Sequence, residues 1–144
     1  MVADALAAIK ANLNGRKLIV MGHSGGAGQL GTIIGRYPGI VDTALLVSCP
    51  CNVPKWRISR RGKNNWLQSQ SPHNYIKKIP GNTKVLVVIG QHDANTKPIF
   101  SREYVKNAHV AGKGNVSLIT IPNGTHKWPT LQGTVDKIIA QDVR

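Results

Sequence analysis

The sequence predicts an α/β domain built on a small parallel sheet, and three observations carry that reading. Apolar runs at residues 17–21, 43–48, 84–89 and 115–121 are too short for helices and apolar on both sides, as strands covered on both faces would be. Stretches with helical spacing separate most of them, and turn-forming residues stand at the junctions. Strands alternating with helices imply right-handed crossovers and hence a parallel sheet of about four strands.

Val2, Leu6, Ile9 and Leu13 recur at helical spacing, giving an opening amphipathic helix that Asn14-Gly15 ends. The first strand follows at 17–21 and leads into Gly22-His23-Ser24-Gly25-Gly26. A small-residue helix then runs over 27–36, stopped by Pro38-Gly39. After the second strand, residues 51–79 are polar, basic and rich in turn-formers, and they carry Trp56, Trp66 and Tyr75. This excursion over one end of the sheet is either an irregular surface loop or a cap that shapes a pocket. Past the third strand, Phe100, Tyr104, Val105 and Ala108 share one side of a helix over 98–111. The fourth strand and a last helix, with Leu131, Val135, Ile138 and Ile139 on its apolar side, complete the chain.

Residues 1–144 suit one domain, since a chain of this length buries roughly two thirds of its unfolded surface around one core. With 41% apolar and 17% charged residues spread along the chain, a disordered polyelectrolyte is excluded. No apolar run approaches the ~20 residues that cross a bilayer, and no signal-peptide core stands at the N-terminus, so a soluble protein without a targeting segment is expected. Cys49 and Cys51 flank Pro50, too closely for an ordinary stabilising disulfide and too few for a zinc site. Free thiols and a reducing, cytoplasmic location are therefore expected. The net charge of +13 suits attraction to polyanions, and the densest basic stretch, Lys55 to Lys63, reads either as a solvated loop or as a contact for an anionic partner such as nucleic acid.

The pentapeptide 22–26 matches G-x-S-x-G, placed between a predicted strand and a predicted helix, where the pattern has a mechanical meaning. The sharp turn exposes the Ser24 hydroxyl above the sheet, and Gly22 and Gly26 are expected where side chains would strike the neighbouring strand or helix. The helix N-terminus adds partial positive charge, and the Gly25 N–H is a candidate oxyanion donor. The same turn could instead cradle a phosphate, but no Walker Lys or G-x-G-x-x-G accompanies it.

A serine hydroxyl needs a base. Among five histidines, His126 follows the fourth strand in a turn-rich loop at the sheet edge where active sites of such folds gather. His23 would point away if Ser24 points in, and His73 and His109 lie in polar segments without a strand end. The base needs an acid, and elimination among six carboxylates leaves Asp93. Asp4 and Asp136 sit on amphipathic helices, Asp142 at the terminus, Asp42 at the far end of a strand and Glu103 on a helix. Asp93 follows the third strand at the same edge as Ser24 and His126, although an Asx-turn in 91–95 would also account for it.

Together these loops resemble the C-terminal half of an α/β-hydrolase of the esterase, lipase and prolyl-peptidase kind. The order Ser, Asp, His agrees with that superfamily. Residues 22–26 resemble its nucleophile elbow, Gly90-Gln-His-Asp93 with Pro98 downstream its acid loop, and Gly124-Thr-His126 its histidine loop. The resemblance spans residues 2–142 and implies a minimal, truncated α/β-hydrolase fold with Ser24, Asp93 and His126 as catalytic residues and no cofactor. In the superfamily about four strands and a loop bearing another oxyanion donor precede the helix that opens this chain. No residue is therefore assigned as a second donor. The expected activity is hydrolysis of short-chain carboxylic esters through an acyl-serine, with loose selectivity. The alternatives from other classes are a non-catalytic basic module that binds a polyanion and a hydrolase fragment that needs a partner. The first strand would be a sheet edge with unpaired backbone groups at Leu18, Ile19, Val20 and Met21, which predicts self-association into a homo-oligomer, most simply a dimer.

Overall fold

A computed structural model describes residues 1–143. The elements are α1 (Val2–Ala11), β1 (Ile19–His23), α2 (Gly25–Arg36), β2 (Thr43–Val47), α3 (Val53–Arg61), a 3-10 helix (Pro72–Lys78), β3 (Lys84–Gly90), α4 (Pro98–Val110), β4 (Val116–Ile121), a short 3-10 turn (Trp128–Thr130) and α5 (Gln132–Val143). The four strands form one parallel sheet in the order β1-β2-β3-β4. The α/β class, the strand number and the parallel direction are as the sequence predicts. The first strand starts two residues later than its apolar run and continues through His23, so its C-terminal end lies at the elbow.

Burial follows the sheet order. The central strands are the most apolar: β2, Thr43–Val47, is buried throughout, and so is β3 apart from Lys84. On one face Ala44, Leu46, Val85 and Val87 pack with Leu30 and Ile34 of α2 and Tyr104 and Val105 of α4. On the other, Leu45, Val47, Leu86 and Val88 pack against Leu131 and Val135 next to and within α5. Burying each such side chain stabilises the fold by roughly 1.5–3 kcal/mol. β1 lies at one edge, with Met21 exposed.

Two expectations are corrected here. The apolar stripe of α1 is not buried: Val2 and Ile9 are half exposed, and only Leu6 packs against the core. A salt bridge from Lys10 to Asp42 holds this helix, and Asp42 also accepts from the Leu18 N–H at 2.7 Å. Cys49 and Cys51 are not free thiols; they are joined as a disulfide, both fully buried. The two Cα atoms, separated by Pro50 alone, lie 5.0 Å apart, within disulfide range, directly after Ser48 takes a left-handed conformation at the end of β2 (φ 52°). The case for a reducing compartment that rested on free thiols falls with them. No helix of the described residues is long and apolar enough to cross a membrane.

Residues 51–79 form an ordered cap rather than an irregular loop. The Asn52 side chain accepts from the Lys55 N–H at 3.2 Å to start α3, Pro54 suits its first turn, and Gly62 ends it in the left-handed region. The 3-10 helix then lies against α2 at Gly31 and Gly35, where a Cβ would come within 2.9 Å of Pro72 and 2.5 Å of the Tyr75 carbonyl oxygen.

Candidate active site

At the C-terminal edge of the sheet, the chain passes from β1 into α2 through Ser24, whose φ of 55° lies in the left-handed region. Such a conformation costs a non-glycine residue of the order of 1–3 kcal/mol and persists only where the surroundings impose it. Here the Ser24 N–H donates to the Val47 carbonyl at 2.8 Å and the Ser24 carbonyl accepts from Gly28 at 3.1 Å. Gly22 is required by contact, because a Cβ there would sit 2.4 Å from the Gly26 carbonyl oxygen. Gly26 is not: a Cβ on it would meet nothing within 4 Å, which corrects the expected need for glycine at that place.

Ser24 Oγ lies 2.9 Å from His126 Nε2, and His126 Nδ1 lies 2.9 Å from Asp93 Oδ2. The Asp93 side chain is fully buried while His126 is a quarter exposed, so the relay runs from the interior to solvent. Asp93 also makes the Asx-turn that its sequence context allowed. Its Oδ1 accepts from the N–H groups of Asn95 and Thr96, each at 2.9 Å, which leaves Oδ2 for the imidazole. The turn and the relay are two uses of one carboxylate.

The remaining acids are paired with cations or exposed. Asp42 is paired with Lys10, Glu103 with Lys55 at 3.0 Å, Asp142 with Lys84 at 2.5 Å and Asp4 with the N-terminus, while Asp136 is exposed on α5. Of the histidines, His109 Nε2 donates to the Val116 carbonyl at 2.6 Å. His23 does stand apart from the cleft, but beside His126 rather than remote from it: its Nε2–H donates to the His126 carbonyl at 3.1 Å and its ring lies between those of His126 and Trp128.

Several residues of the site escaped the sequence reading. The buried Thr96 donates from Oγ1 to Asp93 Oδ2 at 2.9 Å and lies 3.3 Å from His126 Nδ1. A hydroxyl residue three positions after the acid was the available signal. Gly90 and Gly124 bring the acid and histidine loops into backbone contact, and the His92 N–H donates across it to the Gly124 carbonyl at 2.8 Å.

Ser24 and Gly25 open onto a cleft of about 600 Å³, walled by Gly28 and Thr32 of α2, Pro50, and Trp56 and Trp66 of the cap. The N–H groups of the first turn of α2, Gly25 among them, lack intrahelical acceptors and lend the site partial positive charge. The basic stretch divides by use. Lys55 pairs with Glu103 and Arg57 stacks on Trp66, while Arg60, Arg61 and Lys63 face solvent.

No protein-family model and no curated protein matches the chain. Solved structures do. The esterase Pf2001 of Pyrococcus furiosus superposes with a TM-score of 0.71 at 18% identity, over 97% of this chain and 57% of that one. Est1E from Butyrivibrio proteoclasticus superposes with a TM-score of 0.69, also at 18% identity, over 96% of this chain and 67% of that one. The chain has the α/β-hydrolase fold. It spans little more than half the length of the Pyrococcus esterase.

Proposed function

We propose that the chain is a serine hydrolase that cleaves short-chain carboxylic esters. The observation that carries this reading is the 2.9 Å plus 2.9 Å relay from Ser24 through His126 to the buried Asp93, placed at the mouth of a cleft. Ser24 Oγ attacks the acyl carbon as His126 Nε2 takes its proton, and the oxyanion of the tetrahedral intermediate faces the Gly25 N–H. His126 then gives the proton to the leaving alkoxide, so the alcohol departs and the acyl group stays on Ser24. Water, deprotonated by the same nitrogen, attacks the acyl-serine and releases the acid, and the proton returns to Ser24. Asp93 holds the imidazole in the tautomer with the proton on Nδ1 and stabilises the imidazolium.

Esters are favoured over amides because an alcohol leaves more readily than an amine. The cleft, wide relative to an acetyl group, supports loose acyl selectivity. A p-nitrophenyl ester series from acetate to decanoate, run on the wild type and on Ser24→Ala, tests the reading. Hydrolysis of the shorter esters by the wild type alone supports it, and equal rates in the two proteins refute it.

A further inference from the structure

The cap presents the cleft with an aromatic cluster that the relay does not use. Trp56 and Trp66 lie with ring centroids 5.8 Å apart at 53°, and both wall the cleft that holds Ser24. Trp66 is 47% exposed, a large apolar surface to leave in water on a cap that buries Val53, Pro72, Ile76 and Ile79. Neither ring is loosely held. The Trp56 indole N–H donates to Asn95 Oδ1 at 3.1 Å, and the Asn95 backbone N–H donates to Asp93 Oδ1 at 2.9 Å. One face of Trp66 carries the Arg57 guanidinium, 4.1 Å from the ring centroid, and Arg57 Nη2 donates to Asn65 Oδ1 at 3.0 Å. The cap is thus tied through Trp56 and Asn95 to the loop that bears the acid.

From this juxtaposition we propose that the substrates are esters carrying a planar aromatic group, which lies against Trp56 and Trp66 while the ester carbonyl sits at Ser24; this deepens the ester-hydrolase reading and rests on it. The cleft, about 600 Å³ in volume, has room for a flat ring beside the indoles. An indole pair discriminates by more than greasiness. Ring quadrupoles favour offset or edge-to-face aromatic partners, whereas an aliphatic ring of the same bulk gains only the area it buries.

The test uses two methyl esters, 3-phenylpropanoate and 3-cyclohexylpropanoate, which share a chain and a reacting centre. A merely apolar wall favours the more hydrophobic cyclohexyl ester. The proposal predicts the reverse, a preference for phenyl of roughly two- to tenfold in kcat/KM, carried mostly by KM. In Trp56→Leu and Trp66→Leu the preference falls to parity or inverts, and Trp66→Phe retains it; Trp66 is the substitution least tied to folding, being exposed. Equal or inverted preference in the wild type overturns the aromatic inference, as does a phenyl preference that survives in both leucine variants. Binding of the same esters to Ser24→Ala protein, followed by tryptophan fluorescence, separates this inference from the reading beneath it. Selective binding of the phenyl ester without turnover by the wild type would sink the hydrolase and keep the aromatic site. Turnover without selectivity would do the opposite.

Discussion

Gly90, the last residue of β3, and Gly124, two residues before His126, touch backbone to backbone: a Cβ on Gly90 would lie 2.5 Å from the Gly124 carbonyl carbon. Asp93 and His126 depend on this approach, because each sits within three residues of the contact. Gly90→Ala is therefore expected to cost about 1–3 kcal/mol through overpacking. Each kcal/mol lowers Tm by roughly 2–4 °C in a chain of this size. Activity should fall further than stability, as the acid and base are pushed apart. Gly26→Ala is the control, with no atom for the new methyl to meet, and should change stability by less than about 0.5 kcal/mol. Thermal melts and ester hydrolysis on the two variants check this, and a wild-type Tm for Gly90→Ala would show that the contact does not set the spacing.

Asp93 Oδ2 accepts from both Thr96 Oγ1 and His126 Nδ1. Replacing the carboxylate by an amide preserves shape and favours the wrong imidazole tautomer, so Asp93→Asn should lower kcat by roughly 10⁴ with a normal fold. Thr96→Val removes one bond to a charged acceptor, worth about 1.5–3 kcal/mol, and should lower kcat by roughly ten- to a hundredfold. Steady-state kinetics with circular dichroism test both. Wild-type rates in Asp93→Asn, with loss on substitution of Asp42 or Glu103, would reassign the acid.

These two cases mark what the sequence makes legible. Ser24, Asp93 and His126 were readable because each follows an apolar run at the same end of a predicted strand, so one topological rule places all three together. The central strands were equally plain, since burial on both faces leaves only apolar residues in β2 after Thr43 and in β3 after Lys84. Gly90 and Gly124 were not, because a glycine required by a neighbour remote in sequence looks like any turn glycine. The bounds of α3 were signalled by Asn52, Pro54 and Gly62, but its apolar residues are too sparse to declare a helix. The disulfide was hidden by its own spacing: two cysteines separated by a single residue do not read as a pair, although their Cα atoms lie 5.0 Å apart.

His73 lies on the 3-10 helix, where Ser71 Oγ accepts from the Val53 N–H at 2.9 Å and meets His73 Nδ1 at 2.5 Å. Burial, and then the neighbouring Lys55 charge, push its pKa below the ordinary value of 6.5. The unfolded chain therefore binds this proton more readily than the folded one. The stability contributed by neutral His73 is fully present above about pH 6.5 and is lost as pH falls through that value toward the lower folded pKa. Denaturation midpoints measured from pH 8 to pH 5 should decline over the acid half of the range in the wild type and decline less in His73→Gln. An identical slope in the two proteins would place the acid sensitivity elsewhere.

The activation of Ser24 by His126 is tested most directly by labelling with a fluorophosphonate, which reacts with a serine made nucleophilic by its surroundings and is indifferent to the +13 net charge. Intact-mass and peptide analysis should find one adduct per chain, on Ser24, formed by the wild type and abolished in both Ser24→Ala and His126→Ala, although the latter keeps the hydroxyl. No adduct on the folded wild-type protein, or an adduct that persists at an undiminished rate in His126→Ala, would contradict the hydrolase reading.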